Sequence, residues 1–196
     1  MATNITEEGE ALMSGAELYF VSKNPHKQEE ARDILSPTGI SVKADYSAID
    51  ELQTIDTVAL VRDKALKAFQ KIGRPLFVEH TGLYLDMLGG FPGGLTQIFW
   101  DSLKKERFAQ LFSSESEKAR AKTYVGYVDG QRIYVFEAEV PGKIVSPRVD
   151  HGFQWDCVFV PDGHEQTFSE MGAKKNEISM RRLALNRLRV FLEEGA

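Results

Sequence analysis

Two segments of this chain bring together side chains that could do chemistry: Phe153-Gln154-Trp155-Asp156, and Lys175-Asn176-Glu177-Ile178-Ser179-Met180-Arg181-Arg182. Aromatic faces stack on a nucleobase, and a carboxylate such as Asp156 accepts from donors on a base edge. Lysine and arginine at a helix start hold phosphates, because their charge adds to backbone N–H groups that lack intrahelical partners. A strongly basic helix start is itself unfavourable unless an anion lies near it. Together the segments have what a purine triphosphate pocket needs. Each has a plainer reading too. Phe153 and Trp155 alone would suit a core, and Lys174, Lys175, Arg181 and Arg182 would suit a solvated helix face.

The rest of the composition limits the choices. At 196 residues, with 42% hydrophobic and 27% charged residues, the chain can bury a core. A net charge of −5 argues against non-specific nucleic-acid binding but leaves room for a local basic site. Cys157 is the single cysteine, so no internal disulfide can form and a reducing, cytoplasmic setting is expected. No apolar run reaches the length of a membrane span. Residues 1–16 include Glu7, Glu8 and Glu10 and lack a basic-then-apolar signal pattern, so they read as a flexible tail ahead of one domain over 17–196.

The elements that must position the chemistry follow from periodicity. Leu18–Val21 reads as a buried strand leading to Ser22-Lys23-Asn24-Pro25-His26-Lys27, where Asn24 caps a helix with Pro25 in its first turn. A strand over Ile40–Tyr46 and a polar loop containing Glu51 come next. A helix over Thr57–Ile72 then presents Leu60, Val61, Ala65 and Leu66. Leu76–Val78 reads as a strand that breaks at His80-Thr81-Gly82 and resumes at Leu83–Leu85. Gly89–Gly94 must be irregular, and Ser102–Phe112 is amphipathic. Asp129-Gly130 joins strands over Ala121–Val128 and Arg132–Val140 in a hairpin. Short strands near Gly142–Val145 and Val158–Val160 follow, then one closing helix over Glu177–Glu194. Early alternation and later hairpins predict an α/β protein: an elongated mixed sheet with flanking helices and two lobes around a central cleft.

In this order and spacing the motifs resemble the inosine triphosphate pyrophosphatase family. The matching pieces are Ser22–Lys27, Glu51-Leu52-Gln53, Phe77–Leu83, Leu88–Gly93, Phe153–Asp156 and Lys175–Arg181. Each is weak alone; six in one order are not. The resemblance implies that family's fold and its reaction, Mg²⁺-dependent hydrolysis of ITP, dITP and XTP to monophosphate and pyrophosphate. It also implies a homodimer. Ser22, Asn24, Lys27, Lys175 and Arg181 would contact phosphates. Phe153, Trp155 and Asp156 would take the base. Glu51 and Glu79 would hold the metal.

Two positions depart from that pattern. His80 stands where the family carries the carboxylate that activates water, beside Glu79. Neighbouring strand residues face opposite ways, so Glu79 cannot step into that role. Histidine can act as a general base, but neutral imidazole is a poor ligand for a hard cation. Met180 stands where a histidine is usual, keeping bulk and losing hydrogen bonds. The first expectation is therefore a binder of deaminated purine triphosphates, dITP, ITP or XTP. Catalytically impaired, it would act as a sensor or regulatory subunit through a separate effector protein, with nucleotide-triggered antiviral defence as one setting. The alternative is a working pyrophosphohydrolase in which Glu51 and Glu79 hold Mg²⁺ and His80 takes the proton from water.

Overall fold

The computed structural model describes residues 17–113, 118–149 and 154–194. The first half alternates: β1 (Glu17–Val21), α1 (Pro25–Leu35), β2 (Ser41–Asp45), α2 (Thr57–Ile72) and β3 (Leu76–Leu85). α3 (Thr96–Phe112) kinks at Lys104, which has φ 59°. β4 (Lys118–Val128), β5 (Ile133–Ile144) and β6 (Phe159–Pro161) continue the sheet. α4 (Phe168–Met171), α5 (Lys175–Ile178) and α6 (Met180–Glu193) close the chain. The expected tail and Phe153 lie outside the described residues.

These strands form one mixed sheet in the order β2-β1-β3-β4-β5-β6. β1 is parallel to β2 and to β3, whereas the β3–β4, β4–β5 and β5–β6 pairs are antiparallel. α1 and α2 cover opposite faces. Ala31, Ile34 and Leu35 of α1 pack with Leu18, Phe77 and, from α6, Ala184, Leu185 and Leu188. Leu60, Val61, Ala65 and Ala68 of α2 pack with Leu76 and Val78 on the other side. A third cluster lies beyond the middle of β3, where Leu83 and Leu85 meet Trp100, Phe108, Phe112, Trp155, Phe159 and Phe168. The expected mixed sheet with flanking helices is what forms.

β3 therefore crosses from one end of the core to the other, and Glu79 to Gly82 lie between. β1 pairs with it only at Tyr19↔Leu76 and Phe20↔Phe77, and β1 ends at Val21. A strand centred between oppositely covered neighbours opens a crevice at its carboxyl end, the common place for a ligand in such sheets.

Several boundaries differ from the expectation, α3 starting at Thr96 and β4 at Lys118 among them, and three of the differences have a plain physical reason. β3 does not break at His80-Thr81-Gly82, because β4 pairs with it from Leu76↔Val128 through Leu85↔Ala119. Gly82 serves close packing there: a Cβ would lie 2.5 Å from the Gly93 carbonyl oxygen. β5 runs unbroken to Ile144 for the same reason, paired along its length with β4. The closing helix is divided, because Ser179 is extended (ψ 145°) and its side chain accepts from the Arg182 N–H as the N-cap of α6.

Candidate functional site

The crevice at the end of β1 is built first by its turn. The Asn24 side chain accepts from the His26 and Lys27 N–H groups, fixing the start of α1, and the Ser22 hydroxyl accepts from the Asn24 N–H. Gln28, fully buried, donates through Nε2 to the carbonyls of Phe20 (2.8 Å) and Ser22 (3.0 Å). Ser22, Asn24 and Lys27 are thereby brought to one rim.

Two hollows open there. One, of about 380 Å³, is lined by Ser22, Asn24, Lys27, Glu51, Lys64, Glu79 and His80 among others. The second, of about 710 Å³, includes Asn24, Lys27, Glu30, Asp156, Phe168, Lys175 and Arg181. They share Asn24 and Lys27, so one elongated ligand bound across that rim would reach both.

Between them lies a buried ionic chain. Glu79, 2% exposed, contacts the Lys27 ammonium, accepts from Thr81 Oγ1 at 2.9 Å and from Arg181 Nε at 3.2 Å. Arg181 continues through Nη1 to Glu30 at 2.6 Å, and Glu30 accepts from Ser179 Oγ at 3.1 Å. Burial opposes charge on Glu79, but Lys27 and Arg181 outweigh it and hold the carboxyl far below its ordinary range. Burial likewise opposes charge on Arg181, and Glu79 and Glu30 hold it on. Burial pushes Lys27 down against the pull of Glu79; Glu79, with two cationic partners, is the member whose charge is secure.

On the opposite face of β3, His80 Nδ1 lies 3.6 Å from Glu51 Oε2. Its Nε2 is buried without a hydrogen-bond partner. Lys64 on α2 bonds Glu51 Oε1 and the Glu79 carbonyl oxygen at 3.0 Å. Burial raises the Glu51 carboxyl, but contact with His80 and Lys64 outweighs it and leaves it at about 2. The opposed directions of Glu79 and His80 are those the strand pleat requires.

At the far end of the larger hollow, Asp156, 3% exposed, accepts from Lys175 Nζ at 2.6 Å. That ammonium also stands 5.1 Å from the centre of the Phe168 ring. Here several expectations change. Trp155 is 0% exposed, in the core against Phe159 and Phe168, so it offers a base no free face. Lys175 sits on a four-residue helix beside Asp156 instead of beside Ser22. The anions that make Arg181 tolerable at the start of α6 are Glu30 and Glu79, so its guanidinium is engaged within the protein before any phosphate arrives. Met180 is 1% exposed in the apolar cluster.

The pair expected to hold Mg²⁺ does not present a ligand set. Both Glu79 oxygens and both Glu51 oxygens already face cationic or donor groups. Among the described residues no three His, Cys, Asp or Glu side chains converge on a metal position. The residues present do not fit a resident hard cation, which takes its ligands as free oxygens.

Sequence reading overlooked Glu30, Lys64, Gln28, Thr81 and Phe168. Glu30 had a signal, lying three residues after Lys27 on one helical face. Lys64 and Phe168 carried none, since only the folded sheet brings them to the crevice. No helix among the described residues is long and apolar enough to cross a membrane.

Comparison with known proteins agrees with the architecture. The profile of the Ham1 family matches residues 18–191. The dITP/XTP pyrophosphatase of Thermococcus kodakarensis is 36% identical over 184 residues, covering 91% of this chain and 98% of that protein. The inosine triphosphate pyrophosphatase of Yarrowia lipolytica is 37% identical over 184 residues, covering 91% and 97%. The solved HAM1 protein of Coxiella burnetii superposes with a TM-score of 0.77 at 20% identity, covering 92% of this chain and all of that one.

Proposed function

The chain belongs to the Ham1 family, and we propose that it binds a deaminated purine nucleoside triphosphate across the two joined hollows with little or no hydrolysis. One observation carries this reading: the Asp156–Lys175 pair at the end of the larger hollow. Hypoxanthine and xanthine present a ring N–H and a carbonyl side by side. Asp156 accepts from the first and Lys175 donates to the second. Adenine reverses both polarities, leaving buried groups unmatched at about 1–3 kcal/mol each. Relatives named for dITP, XTP and inosine triphosphate support the same class of ligand. At the other end, Ser22, Asn24, Lys27 and Lys64 supply donors and positive charge to a triphosphate.

Weak hydrolysis is argued from the groups around the phosphates. Glu79 is held charged by Lys27 and Arg181, far below its ordinary range, and is therefore a poor acceptor for a proton from water. Position 80 carries imidazole in place of a carboxylate. Occupancy would then be the output, passed to a separate effector protein. A second reading rests on the His80 geometry: Nδ1 turned toward Glu51 and Nε2 without a partner is how a positioned general base looks. Calorimetry with dITP, ATP as control, and assay of pyrophosphate separates them. Saturable heat with dITP recovered intact is expected; sustained heat with pyrophosphate release would establish the second reading.

A further inference from the structure

We infer that Lys64 occupies the place of the divalent cation, so that this chain binds its triphosphate without added metal. The inference rests on the cleft being a triphosphate site and says how that site balances charge. The Lys64 ammonium lies between the Glu51 carboxylate and the Glu79 carbonyl oxygen. These oxygens, from the loop before α2 and from β3, are what a cation bridging the two segments would draw on. The Lys64 side chain is 12% exposed, so its charge is already held in the wall of the smaller hollow beside Lys27 and His80.

The charge count around that point explains why an ammonium suffices. Lys23, Lys27 and Lys64 stand with Glu51 and Glu79 around the smaller hollow, three cations against two carboxylates. A carboxylate at position 80 would make three negative groups to three positive. An incoming polyanion would then find no surplus positive charge, and a further cation would have to supply it. His80 adds no negative charge, and its Nδ1 turns to Glu51, taking one carboxylate oxygen away from any metal. An ammonium has three donors and no required coordination geometry. Lys64 can therefore keep one contact to Glu51 and turn another to a phosphate oxygen, where a divalent ion would need several oxygens freed from their present partners.

Titration of dITP into the full chain, in EDTA and again in Mg²⁺, tests this. The dissociation constant in EDTA is expected to stay within about threefold of the Mg²⁺ value. Lys64→Met is expected to weaken binding in EDTA by about tenfold or more, the loss of one charge-assisted contact. Lys64→Arg keeps the charge and is expected to keep metal-free binding, which separates lost charge from lost folding should the methionine variant be unstable. Binding seen in Mg²⁺ and absent in EDTA would overturn the inference and leave the nucleotide reading intact. Lys64→Met binding like the parent in EDTA would also overturn it. No saturation under either condition would sink the nucleotide reading itself, and the inference with it.

Discussion

Arg181 Nε lies 3.2 Å from Glu79 Oε2, a contact between residues 102 positions apart that fastens the last helix to the central strand. Both side chains are buried, so neither charge can be left alone cheaply. Glu79→Gln removes the anion shared by Lys27 and Arg181. Removing one partner of a buried pair costs about 3–5 kcal/mol, and that loss is expected in urea unfolding. Added dITP should recover part of it, since phosphates can supply the missing negative charge. A variant as stable as the parent would mean that the guanidinium is neutralised by Glu30 alone.

The same contacts set the acid limb of stability. Glu51 is held at about 2 against an ordinary 4.5, and Glu79 is shifted the same way. A carboxyl lowered in the folded state stabilises above its ordinary value and loses that contribution as pH falls toward the folded value. The urea midpoint should therefore be level above about pH 5 and fall from about pH 4.5 toward pH 2. Glu51→Gln should make that fall shallower. Because Glu51 is about one-third exposed, with a side-chain exposure of 35%, solvent screening keeps its share modest. An unchanged slope in the variant would show that Glu79 and other carboxyls carry the acid limb.

What could be read beforehand divides by distance along the chain. Asn24 as a cap, Pro25 in the first turn and the Asp129-Gly130 hairpin are local, and each formed as its residue type requires. The register of β3 is not local. Its polar middle looked like a break only because β4, which pairs with it throughout, is far off in sequence. The site divides likewise. Ser22, Asn24 and Lys27 lie on one turn and stay together. The basic segment 174–182 looked like one phosphate-holding helix start, but Ser179 divides it, and the anions facing Arg181 come from α1 and β3. Trp155 was placed in the pocket by its neighbour Asp156; one residue apart in a tight turn, one side chain points to the core and the other to the hollow.

Base selection is open to direct test at Asp156. Asp156→Ala removes the acceptor for the ring N–H and frees the Lys175 ammonium from its 2.6 Å contact. Affinity for dITP should fall by about tenfold, and discrimination against ATP should shrink by a similar factor. Lys175→Met should lower dITP affinity without improving ATP. Undiminished dITP affinity in Asp156→Ala, with no gain for ATP, would take base reading away from this pair.

Hydrolysis is the remaining variable, and two side chains should govern it. His80→Asp restores a carboxylate on the α2 face of β3, next to Lys64 and Glu51. Met180→His puts an imidazole where a 1% exposed thioether now sits against an apolar cluster. Burying that polar ring without a partner costs about 1–3 kcal/mol, so the second change should lower the melting temperature. The double variant is expected to release pyrophosphate from dITP faster than the parent. His80→Asp alone should give part of the gain and make turnover depend on Mg²⁺, since it adds a third carboxylate to the smaller hollow beside Glu51 and Glu79. If the double variant binds dITP and stays inert, these two positions do not set turnover, and the hold of Lys27 and Arg181 on Glu79 becomes the cause to pursue.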